Sequence, residues 1–362
     1  MTVGHAFATA RSLLDPRQPG YLICYVTNRC NFRCGHCFYH AEIAKGRKAD
    51  ELTVQEYETI AQRLGPLVQL SLTGGEPFLR DDFASVARVL IRHTRPRYVT
   101  IPTNAWFTDR IADCLSRLLP EFPAISFRLV FSVDGIGSAH DALRGVPGAW
   151  ERLCASYARM AELRVRLPNL VLDANAAYSA RNEEGLRETL ATLDRDFAFD
   201  NLSITFVRGN PKDPATRPRS QERYRQIVAF LKERERRREK RFFSFLWRAV
   251  DDITYESFQR TEFDHAFVST CVAGRKLVVL GETGEVRPCE ILPESAGNVR
   301  DHGYRVPAVL ASERNRDLLR RIGESRCACG FECALAANAV WSPSSSPRLA
   351  WLALRNLFRS GP

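Results

Sequence analysis

Apolar and polar positions alternate in short bursts from about residue 20 to residue 210, and each burst precedes a stretch with helical spacing. The β-branched and aromatic runs Tyr21–Thr27, Val68–Leu72, Tyr98–Pro102, Ile125–Val133, Leu170–Ala176 and Leu202–Val207 predict strands. Strand–helix units in series predict an α/β fold with a parallel sheet and right-handed crossovers, open or barrel-like. Thr53 with Glu56 three residues on reads as a capping box opening the first helix, and Gly65-Pro66 stops it.

The alternation breaks at Arg208-Gly209-Asn210-Pro211. A polar, Pro-rich loop runs to Pro218 and a long basic helix, Ser220–Arg248, is expected after it. Residues 266–337 hold five of the eleven cysteines, a hairpin turn at Gly281–Gly284 and few long apolar runs, so a metal is expected to stabilise them. Ser342–Pro347 reads as a linker and Arg348–Arg359 as an amphipathic helix with Trp351, Leu354 and Phe358 on one side. The expected divisions are an extension over 1–20, a core over 21–210, a linker and basic helix over 211–265, a cysteine-rich domain over 266–337, and a linker and helix over 338–362.

The 362 residues are 45% apolar and 26% charged, which excludes a disordered, collagenous or small disulfide-stapled protein. A net charge of +10 favours acidic partners without choosing among phosphorylated or carboxylated substrates, a membrane surface and nucleic acid. No RNA-binding module is recognisable. Neither a signal-peptide core nor an apolar run of roughly 18 residues is present, so a cytoplasmic location is expected. In a reducing compartment the cysteines read as metal ligands, catalytic groups or core filling, and Cys24, Cys114 and Cys154 read as core filling.

Directly after the first strand comes Cys30-Asn31-Phe32-Arg33-Cys34-Gly35-His36-Cys37, a CxxxCxxC. Three thiolates are one too few for a closed zinc site or an electron-transfer cluster. On a [4Fe–4S] cluster they leave one iron open to a substrate, which predicts chemistry rather than electron storage. The alternative is a Cys₃His zinc knuckle completed by His36 or His40.

This loop resembles the cluster-binding signature of the radical S-adenosylmethionine (radical SAM) superfamily. Gly74-Gly75-Glu76-Pro77, after the second strand, resembles its GGEP element, which by resemblance holds the amino group of SAM. Thr103-Asn104 is similar to the TNG turn, with Ala105 in the glycine position. Ser132-Val133-Asp134-Gly135, His140-Asp141 and Arg144-Gly145 resemble the SLDG…HD…RG stretch of the subfamily with auxiliary clusters, which implies Ser132 and Arg144 as SAM contacts, Arg144 partnering its carboxylate. Asp134 and Asn104 are further candidates, and Asn175, ending the fifth strand, is a candidate ribose contact; singly, each of the three is an ordinary turn former. The resemblance implies a partial (β/α)₆ TIM-like barrel over 21–210, with these residues on the C-terminal rim.

Downstream, Cys271, Gly284 and Cys289 form C-x₁₂-G-x₄-C, and Cys327-Ala328-Cys329-Gly330-Phe331-Glu332-Cys333 offers three more thiols. This is similar to the opening half of the SPASM/twitch auxiliary domain but falls short of the full seven-cysteine pattern. A twitch-like single [4Fe–4S] site on Cys271, Cys289, Cys329 and Cys333 is favoured; Cys327 in place of Cys329, or a zinc site, competes with it.

The resemblance implies one-electron cleavage of SAM to methionine and a 5′-deoxyadenosyl radical that takes hydrogen from an unactivated C–H, fed by an external donor of flavodoxin or ferredoxin type. The auxiliary cluster would accept an electron from substrate or bind it. With 29 residues before Cys30 and an abbreviated cysteine set, a small acidic biosynthetic intermediate is the expected substrate. A ribosomal-peptide maturase is the alternative. The basic aromatic stretches Phe230–Arg248 and Arg348–Arg359 keep a lipid substrate and membrane-surface contact in view. A non-catalytic iron–sulfur electron carrier would explain the cysteines but not Gly74–Pro77 or Ser132–Gly135.

Overall fold

The computed structural model of the chain describes residues 14–15, 18–218, 220–237, 244–327 and 330–358. Cys329, Arg359 and the side chain of Phe358 lie outside the described residues, as do parts of the expected N-terminal extension and basic helix.

Six strands carry the core: β1 (Tyr21–Thr27), β2 (Gln69–Gly74), β3 (Tyr98–Thr103), β4 (Ser126–Ser132), β5 (Leu170–Tyr178) and β6 (Asn201–Phe206). Between them run α1 (Val54–Leu64), α2 (Phe83–Thr94), α3 (Thr108–Leu118), α4 (Ala149–Arg166) and α5 (Leu186–Asp196). The six strands are mutually parallel in the order β6-β5-β4-β3-β2-β1. At the start of α1 the Glu56 N–H donates to Thr53 Oγ1 at 3.2 Å and the Thr53 N–H to Glu56 Oε2 at 2.8 Å, and Gly65 ends the helix at φ +88°.

Alternation along the strands separates two environments. Leu22, Cys24, Leu70, Leu72, Val99, Ile101, Phe127, Leu129, Leu172 and Ile204 belong to the main core, where the sheet meets its helices. Residues of opposite parity, among them Ser71, Thr73, Thr100, Arg128, Asp173, Asn175, Ser203 and Thr205, face the other way. A filled TIM barrel stacks bulky apolar side chains in that position; a polar inner face instead leaves hydrogen-bonding groups for a ligand.

Beyond α6 (Gln221–Arg237) lies α7 (Ser244–Glu262), so the stretch expected as one helix over Ser220–Arg248 holds two described helices, and the second continues to Glu262. A hairpin follows, β7 (Leu277–Leu280) and β8 (Glu285–Arg287), then β9 (Gly297–Asn298). Its turn is Gly281–Gly284: the Gly281 N–H donates to Glu285 O at 2.7 Å, and Gly284 sits at φ +93°. Strand β7 pairs in parallel with β1, Cys24 opposite Leu280, so the cysteine-rich segment continues the barrel sheet to nine strands.

Among the later helices are α8 (Glu313–Glu324), α9 (Glu332–Trp341) and α10 (Ser346–Phe358). Ala339 of α9 and Leu352 and Ala353 of α10 pack on Ala249, Val250 and Ile253 of α7. Trp351 and Leu354 of α10, expected on one side of the helix, are exposed, and the packed face is the one carrying Leu352 and Ala353. Cys24 and Cys114 lie in the main core and Cys154 is half-buried. Among the described residues no helix is long and apolar enough to cross a membrane.

Candidate functional site

The cysteine loop leaves the C-terminal end of β1 and is pinned from three directions. From the β2 end, Gly75 N–H donates to Thr27 O and Glu76 N–H to Arg29 O, both at 2.9 Å. Past β6, Asp213 N–H donates to Gly35 O at 2.8 Å and Lys212 N–H to Cys37 O at 3.1 Å. Near the β4 end, the Cys34 thiol lies 3.6 Å from Arg144 O. Burial pushes the Cys30 thiol up to about 12 and the Cys37 thiol up to about 11, and neighbouring thiols of the trio add to both shifts. Three electrostatically coupled thiols on one loop, with the Arg144 guanidinium beside Cys34, are a donor set that could hold an anionic iron–sulfur cluster.

Of the two histidines offered to a zinc knuckle, His36 is turned to a carboxylate. His36 Nε2 faces Asp134 Oδ2 at 3.4 Å, and among the described residues no three His, Cys, Asp or Glu side chains converge on a position for a single metal ion. A cluster distributes its thiolates over separate irons, so it does not need that convergence.

The two glycines of Gly74-Gly75-Glu76-Pro77 serve a close approach. A Cβ on Gly74 would stand 2.1 Å from Thr27 O, and one on Gly75 would stand 2.2 Å from Arg29 O. Bare backbone at both places lets β2 press against the root of the cysteine loop. Glu76 is buried and accepts from Asn104 N–H at 2.7 Å, Thr103 Oγ1–H at 2.9 Å and Phe78 N–H at 3.2 Å. Burial outweighs these bonds and pushes its carboxyl up to about 7, a level an incoming ammonium would lower. Pro77 opens a short 3₁₀ turn that the Glu76 side chain caps.

Asn104 reaches back to the loop, donating from Nδ2 to Asn31 Oδ1 at 2.9 Å. Ala105, in the position where the resembling turn has glycine, keeps the left-handed conformation at φ +62° and is fully buried. The neighbouring chain supports it: the Ala105 N–H donates to Thr103 Oγ1 at 3.0 Å, and Ala105 O accepts from Ser156 Oγ–H at 2.6 Å.

Asp134 and Arg144 form a buried pair, Arg144 Nε to Asp134 Oδ2 at 2.8 Å, their side chains 10% and 0% exposed. Burial alone would raise the Asp134 carboxyl; Arg144, His36 and the Ala177 N–H outweigh it and hold the group below its ordinary value. Its oxygens are thus occupied by protein partners, and Asp134 orients Arg144 toward Cys34. Burial lowers His36, with Asp134 opposing. Asp141 accepts from Gly148 N–H at 2.7 Å and Trp150 N–H at 2.8 Å, so it caps α4. Ser132 ends β4 directly opposite Asn175. Asn175 faces the inner side, donating to Ser203 Oγ at 2.9 Å and accepting from Thr205 Oγ1–H at 3.1 Å.

The second cysteine set borders the first. Cys271, Cys289 and Cys333 share one apolar cluster with Cys37, Phe38, Tyr25 and Tyr39. Cys289 follows β8, Cys333 opens α9, and Cys327 follows α8, its N–H donating to Ile322 O at 3.2 Å. Between the sets lies a network the sequence reading missed. Arg208, just past β6, pairs with Glu290 at 2.9 Å and Glu332 at 3.0 Å, and Tyr25 Oη–H donates to Glu290 Oε1 at 2.6 Å. The available signal was a carboxylate directly beside a cysteine on both sides, Cys289-Glu290 and Glu332-Cys333, inside otherwise apolar surroundings.

Comparison with known proteins agrees with this geometry. A model of the Radical SAM superfamily matches residues 24–192. An AdoMet-dependent heme synthase of Methanosarcina barkeri (strain Fusaro / DSM 804) is 25% identical over 77% of this chain and 79% of its own length. A GTP 3′,8-cyclase of Haemophilus influenzae (strain PittEE) is 29% identical over 44% of this chain, which spans about half (49%) of that relative. The structure of anSMEcpe with bound AdoMet superposes with a TM-score of 0.57 over 93% of this chain and 99% of that one; at 16% identity this is a likeness of fold. The matched region runs from β1 into α5 with its motifs gathered on one rim, and over residues 24–192 the chain matches the radical SAM superfamily, whose members bind S-adenosylmethionine and a [4Fe–4S] cluster.

Proposed function

We propose that Cys30, Cys34 and Cys37 hold the [4Fe–4S] cluster, that Gly74–Pro77, Asn104, Ser132, Arg144 and Asn175 form the SAM site with Asp134 orienting Arg144, and that the enzyme takes hydrogen from an unactivated C–H of a small biosynthetic intermediate. Bound SAM and its cluster supply one-electron cleavage of a carbon–sulfur bond, chemistry beyond any side chain. The chain's own residues bind, orient and exclude water. The observation that carries this reading is the direct contact between the cysteine loop and three successive strand ends: Glu76 N–H to Arg29 O, Asn104 to Asn31, and Arg144 to Cys34.

A cavity of about 250 Å³ supports a small molecule as substrate; Asn175, Ser203 and Thr205 of the strands, Asp251, Thr254 and Tyr255 of α7, and Cys333 line it. Arg128, the cation on the inner face of β4, is paired with Asp173 at 2.6 Å, and burial pushes the Asp251 carboxyl up to about 6. Hydrogen bonding therefore recommends itself over bare positive charge as the means of recognition, which weakens the case for an acidic substrate. In the same proposal Cys271, Cys289, Cys333 and one of Cys327 and Cys329 hold an auxiliary [4Fe–4S] cluster that exchanges an electron with substrate or binds it.

The test is 5′-deoxyadenosine formation by anaerobically reconstituted protein with SAM and dithionite, with and without a low-molecular-mass extract of the source cells. Stimulation by the extract supports the reading. Stimulation by a peptide fraction alone would replace the small molecule with a peptide. No product from protein with its clusters intact would overturn the proposal in favour of an electron carrier.

A further inference from the structure

Arg208 stands where the two cysteine sets meet, and its surroundings are unusual for a surface-loop arginine. Its side chain is 14% exposed, while the carboxylates it grips, Glu290 and Glu332, are 7% and 14% exposed. Each carboxylate has a second donor: Tyr25 Oη–H on Glu290 at 2.6 Å, and the Phe206 N–H on Glu332 at 2.6 Å. The guanidinium lies 4.5 Å from the centre of the Phe331 ring and 5.3 Å from that of Phe38, the neighbour of Cys37. One side chain thus ties the end of β6 to the residue after Cys289, to the residue before Cys333 and to the first cysteine loop. Its Nε–H is buried and finds no acceptor among the described residues, although buried donors are almost always satisfied.

We propose that Arg208 is the positioning and charge-tuning residue of the second cysteine set: through Glu290 and Glu332 it fixes the segments carrying Cys289 and Cys333, and it holds a cation and a free donor beside the cluster bound there. This rests on the auxiliary-cluster reading above. A neighbouring cation favours the more negative, reduced form of a cluster, and a neighbouring carboxylate disfavours it. Opposite charge changes in one network therefore move the potential in opposite directions.

The experiment uses the full chain, reconstituted anaerobically, with iron and sulfide counted and both potentials read by EPR-monitored titration. Arg208→Met should shift the second cluster to a more negative potential or release about half of the iron. The first cluster and its SAM-induced spectral change should stay in place. Arg208→Lys, which keeps the charge, should restore most of the iron. Glu332→Gln, which keeps an acceptor for the Phe206 N–H, should shift the second potential upward. Shifts of the same sign in Arg208→Met and Glu332→Gln, or no shift with full iron in either, would overturn the proposal. If wild-type protein binds iron that is lost entirely on replacing Cys30, Cys34 and Cys37 by alanine, the auxiliary-cluster reading itself fails, and the two failures are told apart.

Discussion

Replacing Gly75 by alanine isolates the steric part of the site. Its φ lies outside the left-handed region, so the substitution carries no conformational strain of its own. The new Cβ would stand 2.2 Å from Arg29 O, 2.6 Å from Arg29 C and 3.0 Å from Cys30 Cβ. Ordinary C···O contact is about 3.3 Å, so the β2 end and the loop root must part by roughly 1 Å. That breaks the Glu76 N–H to Arg29 O bond of 2.9 Å, a loss of about 1 kcal/mol. Overpacking adds about 1–3 kcal/mol, and the stiffer unfolded chain returns about 0.4–1 kcal/mol. The expected net loss is about 1–3.5 kcal/mol. Two other glycines serve as controls. Gly137 has open space around its Cβ position but φ +59° with ψ −134°, so its alanine variant suffers strain alone, about 1–3 kcal/mol. Gly185 has open space and φ −98°, so its alanine variant should be neutral or slightly stabilised. Urea midpoints of the apo proteins should be lower for both Gly137→Ala and Gly75→Ala than for Gly185→Ala, and Gly75→Ala alone should take up less iron, because the new methyl abuts Cys30. A Gly75→Ala protein as stable as Gly185→Ala, or one with full iron, would refute the close-approach argument.

Alanine at Cys30, Cys34 and Cys37 together should abolish SAM cleavage, read as 5′-deoxyadenosine, while iron held by the second set persists. Asp134→Asn leaves Arg144 buried without its counter-charge; chemical denaturation of the apo protein should show a loss of about 3–5 kcal/mol, smaller after reconstitution, where anionic cluster ligands compensate the guanidinium. Glu56 accepts from Arg300 at 2.8 Å as well as closing the α1 capping box; that bond, against the opposing effect of burial, brings its carboxyl from an ordinary 4.5 down to about 2. Because the folded value is depressed, the stabilisation is full above pH 4.5 and disappears as pH falls through about 2. With Arg300 37% exposed the pair is screened, so Glu56→Gln should lose about 1–2 kcal/mol at pH 7 and show a flatter acid limb in a melting-temperature series.

The parts of the fold legible in the sequence are those set by local alternation. Strand β1 begins and ends where its apolar run does, because both of its faces are covered, by the helix layer and by the C-terminal segment. The second strand, expected over Val68–Leu72, instead occupies Gln69–Gly74 because its pairing continues until Gly74 lies opposite Thr27, a contact made possible by a missing side chain. Helix α7 was blurred for a related reason. Val250 and Ile253 turn toward α9 and α10, while Trp247 meets Tyr98 edge-on at 5.1 Å from the inner side; two apolar faces leave no single stripe to read. At the site, the residues on motifs were visible because spacing along one loop places them. Arg208, Glu290 and Glu332 were not, since 82 and 124 residues separate the arginine from its partners, and only the closing of α9 onto the β6 end brings them together. Sequence spacing can therefore reveal which residues touch a cofactor, whereas the charges that surround it are assembled by the tertiary fold. In this chain the same step assembles both: β7 joining β1 and α9 meeting β6 draw Cys289, Cys333 and their carboxylate neighbours to Arg208 together.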